Sequence, residues 1–153
     1  MLKVTNDLLI EALTEALETT AFMMPLPPED ELPAPTQGVL VRIDFNGPVN
    51  GTIELWAGME FAQMMAANVM GLEPDDPEAQ SKGIDAVKEI VNIIGGVLLA
   101  KLTDSPADMF NLTVPRSEEQ LDSESWEQYL AQDDVTVLDV DGFPVATRLL
   151  IKD

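Results

Sequence analysis

Gly38-Val-Leu-Val-Arg-Ile-Asp-Phe-Asn-Gly-Pro-Val-Asn-Gly-Thr-Ile-Glu-Leu-Trp56 is the stretch that decides the fold class. Val39, Val41, Ile43 and Phe45 alternate with Leu40, Arg42 and Asp44, the period-two pattern of a strand with one apolar face. Asn46-Gly47-Pro48 makes a turn, and Val49, Gly51, Ile53 and Leu55 begin the return strand, so the segment reads as a β-hairpin. An apolar sheet face needs a cover, and the flanking segments have helical periodicity to supply it.

Upstream, Leu9, Leu13, Ala16, Leu17 and Ala21 recur at three- and four-residue steps and predict a helix from Asp7 to Met24. Asn6 or Asp7 can cap it, and Pro25 is expected to end it. Residues 25–35 hold five of the eleven prolines and three acids, and read as an extended connector. Downstream, a short helix is expected from Met59 to Met70, closed by Gly71. Its Met59, Met64, Met65 and Met70 suit irregular core packing. The loop 73–78 is acidic; Asp75 and Glu78 have capping-box spacing and Pro77 suits a first helical turn. The cluster lacks the spacing of an EF-hand, so no metal site is assigned.

A long helix follows from Glu78 to Thr103, with Pro106 just beyond it. Met109 to Val114 reads as a strand, and 116–131 as an acidic segment with a short helix near Trp126. Two strands, Val135–Val140 and Pro144–Ile151, flank an Asp141-Gly142 turn, which explains Asp139-Val-Asp141-Gly better than a metal motif does. The expectation is one α+β domain over residues 1–153, with the connector 25–35 inside it. An antiparallel sheet is packed on one face by two long helices and a short one. Each half supplies a long helix and a strand pair, which suggests a weak internal duplication.

Composition narrows the chemistry. The chain carries 28 acidic against 8 basic side chains, a net charge of -20. Nucleic-acid binding without sequence preference requires clustered cations, and an anionic membrane surface would repel this chain, so neither is an expected partner. With no Cys and no His, thiolate nucleophiles, His-ligated metals and Ser-His-Asp chemistry are excluded. Catalysis is left to carboxylates, amides, hydroxyls, lysines or a partner's groups. The first residues lack a signal-peptide pattern, and Ile90 to Ala100 is too short to span a bilayer, so a cytoplasmic location is expected.

The long helix is apolar on most sides, through Ile84, Val87, Ile90, Val91, Ile94, Val97, Leu98 and Leu102. Asp85, Glu89, Asn92 and Gly96 interrupt it at steps of four, three and four, which places them on one face. Asn92 lies mid-helix, where a buried amide would need partners. Gly95 and Gly96 each cost a helix about 1 kcal/mol relative to alanine. Two readings stand at this point. Glu89 is a solvated acid, Asn92 bonds a neighbouring loop and the glycines permit tight packing; or the stripe receives another molecule.

Glu89-Ile-Val-Asn92-Ile-Ile-Gly95-Gly96 resembles the signature helix of the CheC/CheX/FliY chemotaxis phosphatases: a Glu, two residues, an Asn, then small residues one turn on. Val49-Asn-Gly-Thr-Ile-Glu-Leu-Trp56 looks like that family's second hairpin strand. Phe61-Ala-Gln-Met-Met-Ala-Ala-Asn-Val-Met-Gly71 looks like its short helix, and Asp85-Ala-Val-Lys-Glu89 leads into the motif. The resemblance covers about residues 36–104. Two-site members repeat Glu-x-x-Asn on the first long helix; here Glu11, Glu15 and Glu18 are followed three residues later by Thr14, Glu18 and Ala21. The chain is therefore similar to the single-site CheX branch.

The resemblance implies a pseudo-duplicated CheC/CheX-like fold, a homodimer, and a phosphorylated CheY-like receiver domain as substrate. It implies that the divalent metal, Mg, and a lysine sit in the receiver, with no cofactor bound by this chain. Asn92 would hold the attacking water and Glu89 would pair with the receiver's lysine. Asp85, Gly95 and Gly96 would lie at the docking surface. One alternative is a non-catalytic module resembling the middle domain of FliM, which would bind a response regulator without hydrolysis. Another is a structural or small-molecule domain that reuses the fold.

Overall fold

A computed structural model of the chain describes residues 5–103 and 109–152. Pro106 and the first four residues, on which two of the readings above fall, lie outside the described residues. Helix α1 spans Asn6–Ala16, and the hydroxyl of Thr5, rather than Asn6 or Asp7, accepts from Leu8 N at 3.3 Å to cap it. The expected run to Met24 is cut short. Leu17–Ala21 forms a π-helical turn, in which Thr19 Oγ1 donates back to Glu15 O at 2.8 Å, and Phe22 then turns left-handed at φ 58°. Side-chain competition for the helical carbonyls bends and loosens such a terminus.

The chain then lays down β1 (Pro25–Leu26), so the connector begins as a strand, with Pro25 opposite Val140. The hairpin is present as β2 (Gln37–Asn46) and β3 (Asn50–Gly58), with Ile43 opposite Ile53 and Phe45 opposite Gly51. The Phe45 ring lies over Gly51, where an added methyl would meet Phe45 Cζ at 2.5 Å. Helix α2 (Met59–Met70) ends where Gly71 adopts φ 71°, as its sequence predicts.

The expected Glu78–Thr103 helix is two helices, α3 (Pro77–Ser81) and α4 (Gly83–Leu102). Asp76, not Asp75, caps α3 by accepting from Glu78 N at 2.9 Å. Lys82 breaks the run at φ -106°, ψ 8°. Gly83 sits against α2, where a methyl would lie 3.3 Å from Ala62 Cβ. The close approach of the two helices thus falls at the break.

After α4 come β4 (Asn111–Leu112), β5 (Arg116–Asp122), α5 (Ser123–Leu130), β6 (Thr136–Val140) and β7 (Phe143–Lys152). The expected strand at Met109–Val114 is reduced to β4, and the acidic segment contains β5, which pairs with β2. Asp141 and Gly142, at φ 53° and 87°, form the expected turn between β6 and β7.

Among the described residues, seven strands form one antiparallel sheet in the order β1-β6-β7-β3-β2, with β4 and β5 along the free side of β2. Hairpins β2-β3 and β6-β7 meet at the centre. The strand after α1 pairs with the second hairpin, and the strands after α4 pair with the first. That exchange is the internal duplication expected from the order of elements.

Val39, Val41, Ile43 and Phe45 of β2 and Ile53, Leu55 and Ala57 of β3 join the core beneath α1, α2 and α4. The opposite face carries a second cluster, in which α5 lays Trp126 and Tyr129 against Leu40, Trp56 and Ala146. The Trp56 and Trp126 rings meet edge to face, 5.1 Å between centroids. Three helices therefore cover one face as expected, and α5 adds partial cover to the other.

Candidate functional site

Helix α4 lies across the sheet because one side of it is nearly all apolar. Val87, Ile90, Val91, Ile94 and Leu98 are buried in the main core. The opposite side carries the polar stripe, and Asp85, Glu89, Asn92 and Gly96 are all exposed. Three residues advance an α-helix by roughly 4.5 Å, so Glu89 and Asn92 stand side by side, less than one turn apart. Neither side chain has a hydrogen-bond or ion-pair partner among the described residues. The loop-bonded amide weighed above is therefore not seen among those residues.

The rod beneath the pair is seated on the core, so the backbone positions from which the two side chains project are fixed. Asp85 opens the stripe, and Lys82 Nζ stands 3.8 Å from its Oδ2, an exposed pair worth little to stability. Lys88, four residues before Asn92, is half-buried on the margin of the same face. Sequence reading passed over Lys88, although a cation one turn from an amide was visible in the spacing.

The two glycines part company. Gly96 faces open space, and a methyl there would meet nothing within 4 Å. Gly95 is buried, and a methyl there would lie 3.0 Å from Leu112 Cδ2 and 3.8 Å from Ile43 Cγ2. Gly95 thus serves the seating of α4 on β2 and β4 rather than the exposed face. Gly96 leaves the exposed face of the rod low one turn beyond Asn92.

On the far face of the sheet lies the main charged network. Glu54, 1% exposed, accepts from Arg148 Nε at 2.8 Å, Arg42 Nε at 2.7 Å and Tyr129 Oη at 3.2 Å. Arg42 also donates to Glu118 at 2.9 Å. Burial pushes the Glu54 carboxyl up, but the bonds from Arg148 and Arg42 outweigh it and hold it below its ordinary value. Burial drives the Tyr129 hydroxyl far above its ordinary range, so it remains a donor. Every hydrogen-bonding atom of the Glu54 carboxylate is engaged, which marks the network as a clamp between strands. Among the described residues, no group of three or more acids is arranged to hold a metal ion. No described helix is long and apolar enough to cross a membrane.

An antiparallel sheet, helices on its inner face and an exposed acid–amide pair on the longest of them define a CheC/CheX-like domain. A family model described as Chemotaxis phosphatase CheX matches residues 39–123, over half of the chain, and the chain belongs to that family. No curated protein matches its sequence.

Solved structures share the fold. A chemotaxis protein CheX from Desulfovibrio desulfuricans aligns with TM-score 0.69 at 17% identity, over 95% of this chain and 97% of that one. The CheX-CheY-BeF3-Mg complex from Borrelia burgdorferi gives TM-score 0.66 at 20% identity, over 96% and 97%. FliY of Thermotoga maritima gives 0.60 at 14% identity, over 95% and 85%.

Proposed function

We propose that this chain hydrolyses the aspartyl phosphate of a CheY-like receiver domain, with Asn92 holding the attacking water and Glu89 docking the receiver's lysine. The observation that carries the reading is the presentation of both side chains, unpartnered among the described residues, from a rod seated on the core. Membership of the CheX family supports the reaction class. The solved complex of a CheX with a CheY supports a receiver as the partner.

An amide has no useful pKa and cannot act as a general base. It can orient a water by accepting one of its hydrogens and donating to its oxygen, which is catalysis by positioning. The water oxygen attacks phosphorus, and the bond from phosphorus to the receiver's carboxylate oxygen breaks. The electron pair leaves with that carboxylate, and the water's proton ends on inorganic phosphate. The divalent metal and the lysine that offset charge on the phosphoryl group belong to the receiver. Glu89 supplies a carboxylate to pair with that lysine, which fixes the register of α4 over the phosphate. Gly96, without a side chain, lets the receiver's surface come close to the rod.

The test is release of inorganic phosphate from a purified, phosphorylated CheY-type receiver with and without the chain. Acceleration proportional to added chain supports hydrolysis. Stable binding with an unchanged rate of release would instead identify a regulator-binding module.

A further inference from the structure

A second feature adjoins the stripe. Between α2 and α4 lies a shallow groove of about 200 Å³, lined by Ala66, Val69, Met70, Ala86, Lys82 and Asp85. Its walls are aliphatic, and the Lys82–Asp85 ion pair stands at its edge. Val69 and Met70 are exposed, although they sit at the end of a helix whose other apolar residues are mostly buried.

Phe22 lies outside the groove's lining but is tied to the same end of α2. Asn68 Nδ2 donates to Ala21 O at 3.0 Å, and Phe22 and Val69 each follow directly on one partner of this bond. Phe22 is 77% exposed and holds φ 58°, ψ 37°. A bulky residue in the left-handed region is strained, and an exposed aromatic ring gains little from burial, so folding alone gives no reason for it. Glycine would serve the turn better.

Asp85 belongs to both the groove and the stripe. Asp85 and Asn92 are seven residues apart, roughly 10 Å along the helix. A specific interface covers about 800 Å² on each partner, a disc of about 16 Å radius. A globular partner centred on Glu89 and Asn92 therefore covers the groove as well. An apolar strip beside a polar reactive pair is the usual division between affinity and chemistry at such a contact.

We propose that the groove formed by Val69, Met70 and Ala86, together with Phe22, receives apolar side chains of the same phosphorylated receiver and supplies affinity, while Glu89 sets the register and Asn92 supplies the chemistry. This inference rests on the function proposed above. It divides the site into two parts that respond differently to substitution.

The experiment measures phosphate release against concentration of a phosphorylated CheY-type receiver, for the unaltered chain, Val69→Glu, Phe22→Gly and Asn92→Ala. Thermal melting is recorded for each. Val69→Glu and Phe22→Gly are expected to raise the half-saturating receiver concentration about tenfold or more, with the rate at saturation unchanged. Phe22→Gly is also expected to melt at the same temperature or higher, which separates loss of contact from loss of fold. Asn92→Ala is expected to lower the rate at saturation with half-saturation little changed. If Asn92→Ala abolishes turnover while both apolar variants keep the original half-saturation, the groove proposal is overturned and the chemistry stands. If Asn92→Ala is fully active, the function itself fails and the groove proposal with it. A change in the chain's own oligomeric state in Val69→Glu, without change in half-saturation, assigns the groove to self-association and overturns it too.

Discussion

Gly95 and Gly96 are neighbours in sequence with opposite surroundings: a methyl on the first would press on Leu112 at 3.0 Å, and one on the second would meet nothing within 4 Å. Alanine at either position gains about 1 kcal/mol of helix propensity. At Gly95 that gain is offset by overpacking, which costs about 1–3 kcal/mol. Gly96→Ala should therefore raise the denaturant midpoint, and Gly95→Ala should leave it level or lower it. The stabilised Gly96→Ala protein should nonetheless hydrolyse phospho-receiver more slowly, because its methyl stands where the receiver comes close. Equal stabilities would remove the packing role given to Gly95, and an undiminished rate in Gly96→Ala would remove the close approach.

The Glu54 clamp sets a pH dependence of stability. Its carboxyl lies below its ordinary value of 4.5 when folded, because the Arg148 and Arg42 bonds overcome burial. A group so depressed contributes fully above its unfolded value, and the contribution is lost as pH falls through the folded value. Stability from this group should thus be flat from neutrality down to about 4.5 and fall below it. Glu54→Gln leaves two arginines without their carboxylate and should cost about 3 kcal/mol at neutral pH. Denaturant titrations at a series of pH values should show a shallower acid limb in the variant. Parallel limbs would mean that Glu54 does not carry the acid sensitivity.

Trp126 tests whether the two faces of the sheet act independently. It is buried against Trp56 on the side away from α4. Trp126→Ala should cost about 3–5 kcal/mol. At a temperature where the variant is still folded, its rate of phosphate release should match that of the unaltered chain. A lowered rate in the folded variant would show that α5 reaches the site.

Much of this fold was legible because several segments solve their packing locally. The β2-β3 hairpin, α2 with its Gly71 stop and the Asp141-Gly142 turn carry their own periodicity and turn chemistry. The stripe was legible for the same reason, since four residues at helical steps on an apolar rod need only local geometry. What was hidden depends on partners distant in sequence. β5, Arg116-Ser-Glu-Glu-Gln-Leu-Asp122, is an outer strand mostly open to solvent, so it shows no apolar alternation; its pairing with β2 makes it a strand. The break at Lys82 follows α2, and the buried place of Gly95 follows Leu112, neither of which a helical pattern reveals. The early end of α1 falls at the π-turn where Thr19 bonds back to Glu15 O, inside a segment read as a continuous helix.

Glu89 should act on binding and register more than on the reacting water. Glu89→Gln keeps the shape and removes the charge that pairs with the receiver's lysine. The expected result is a severalfold loss in kcat/KM that shrinks as ionic strength rises, because the ion pair in the unaltered protein is screened. Steady-state rates at low and high salt check this. A loss independent of salt would point to a role for Glu89 other than pairing with a cation.

The central claim is that the Asn92 amide positions the water. The most direct measurement is single-turnover phosphate release from a phospho-receiver at saturating chain, comparing the unaltered protein with Asn92→Ala, with folding of both verified by thermal melting. A drop of roughly 100-fold in an equally stable protein is the expected result, the scale on which loss of positioning acts. An unchanged rate in a folded, receiver-saturated Asn92→Ala protein would contradict the mechanism.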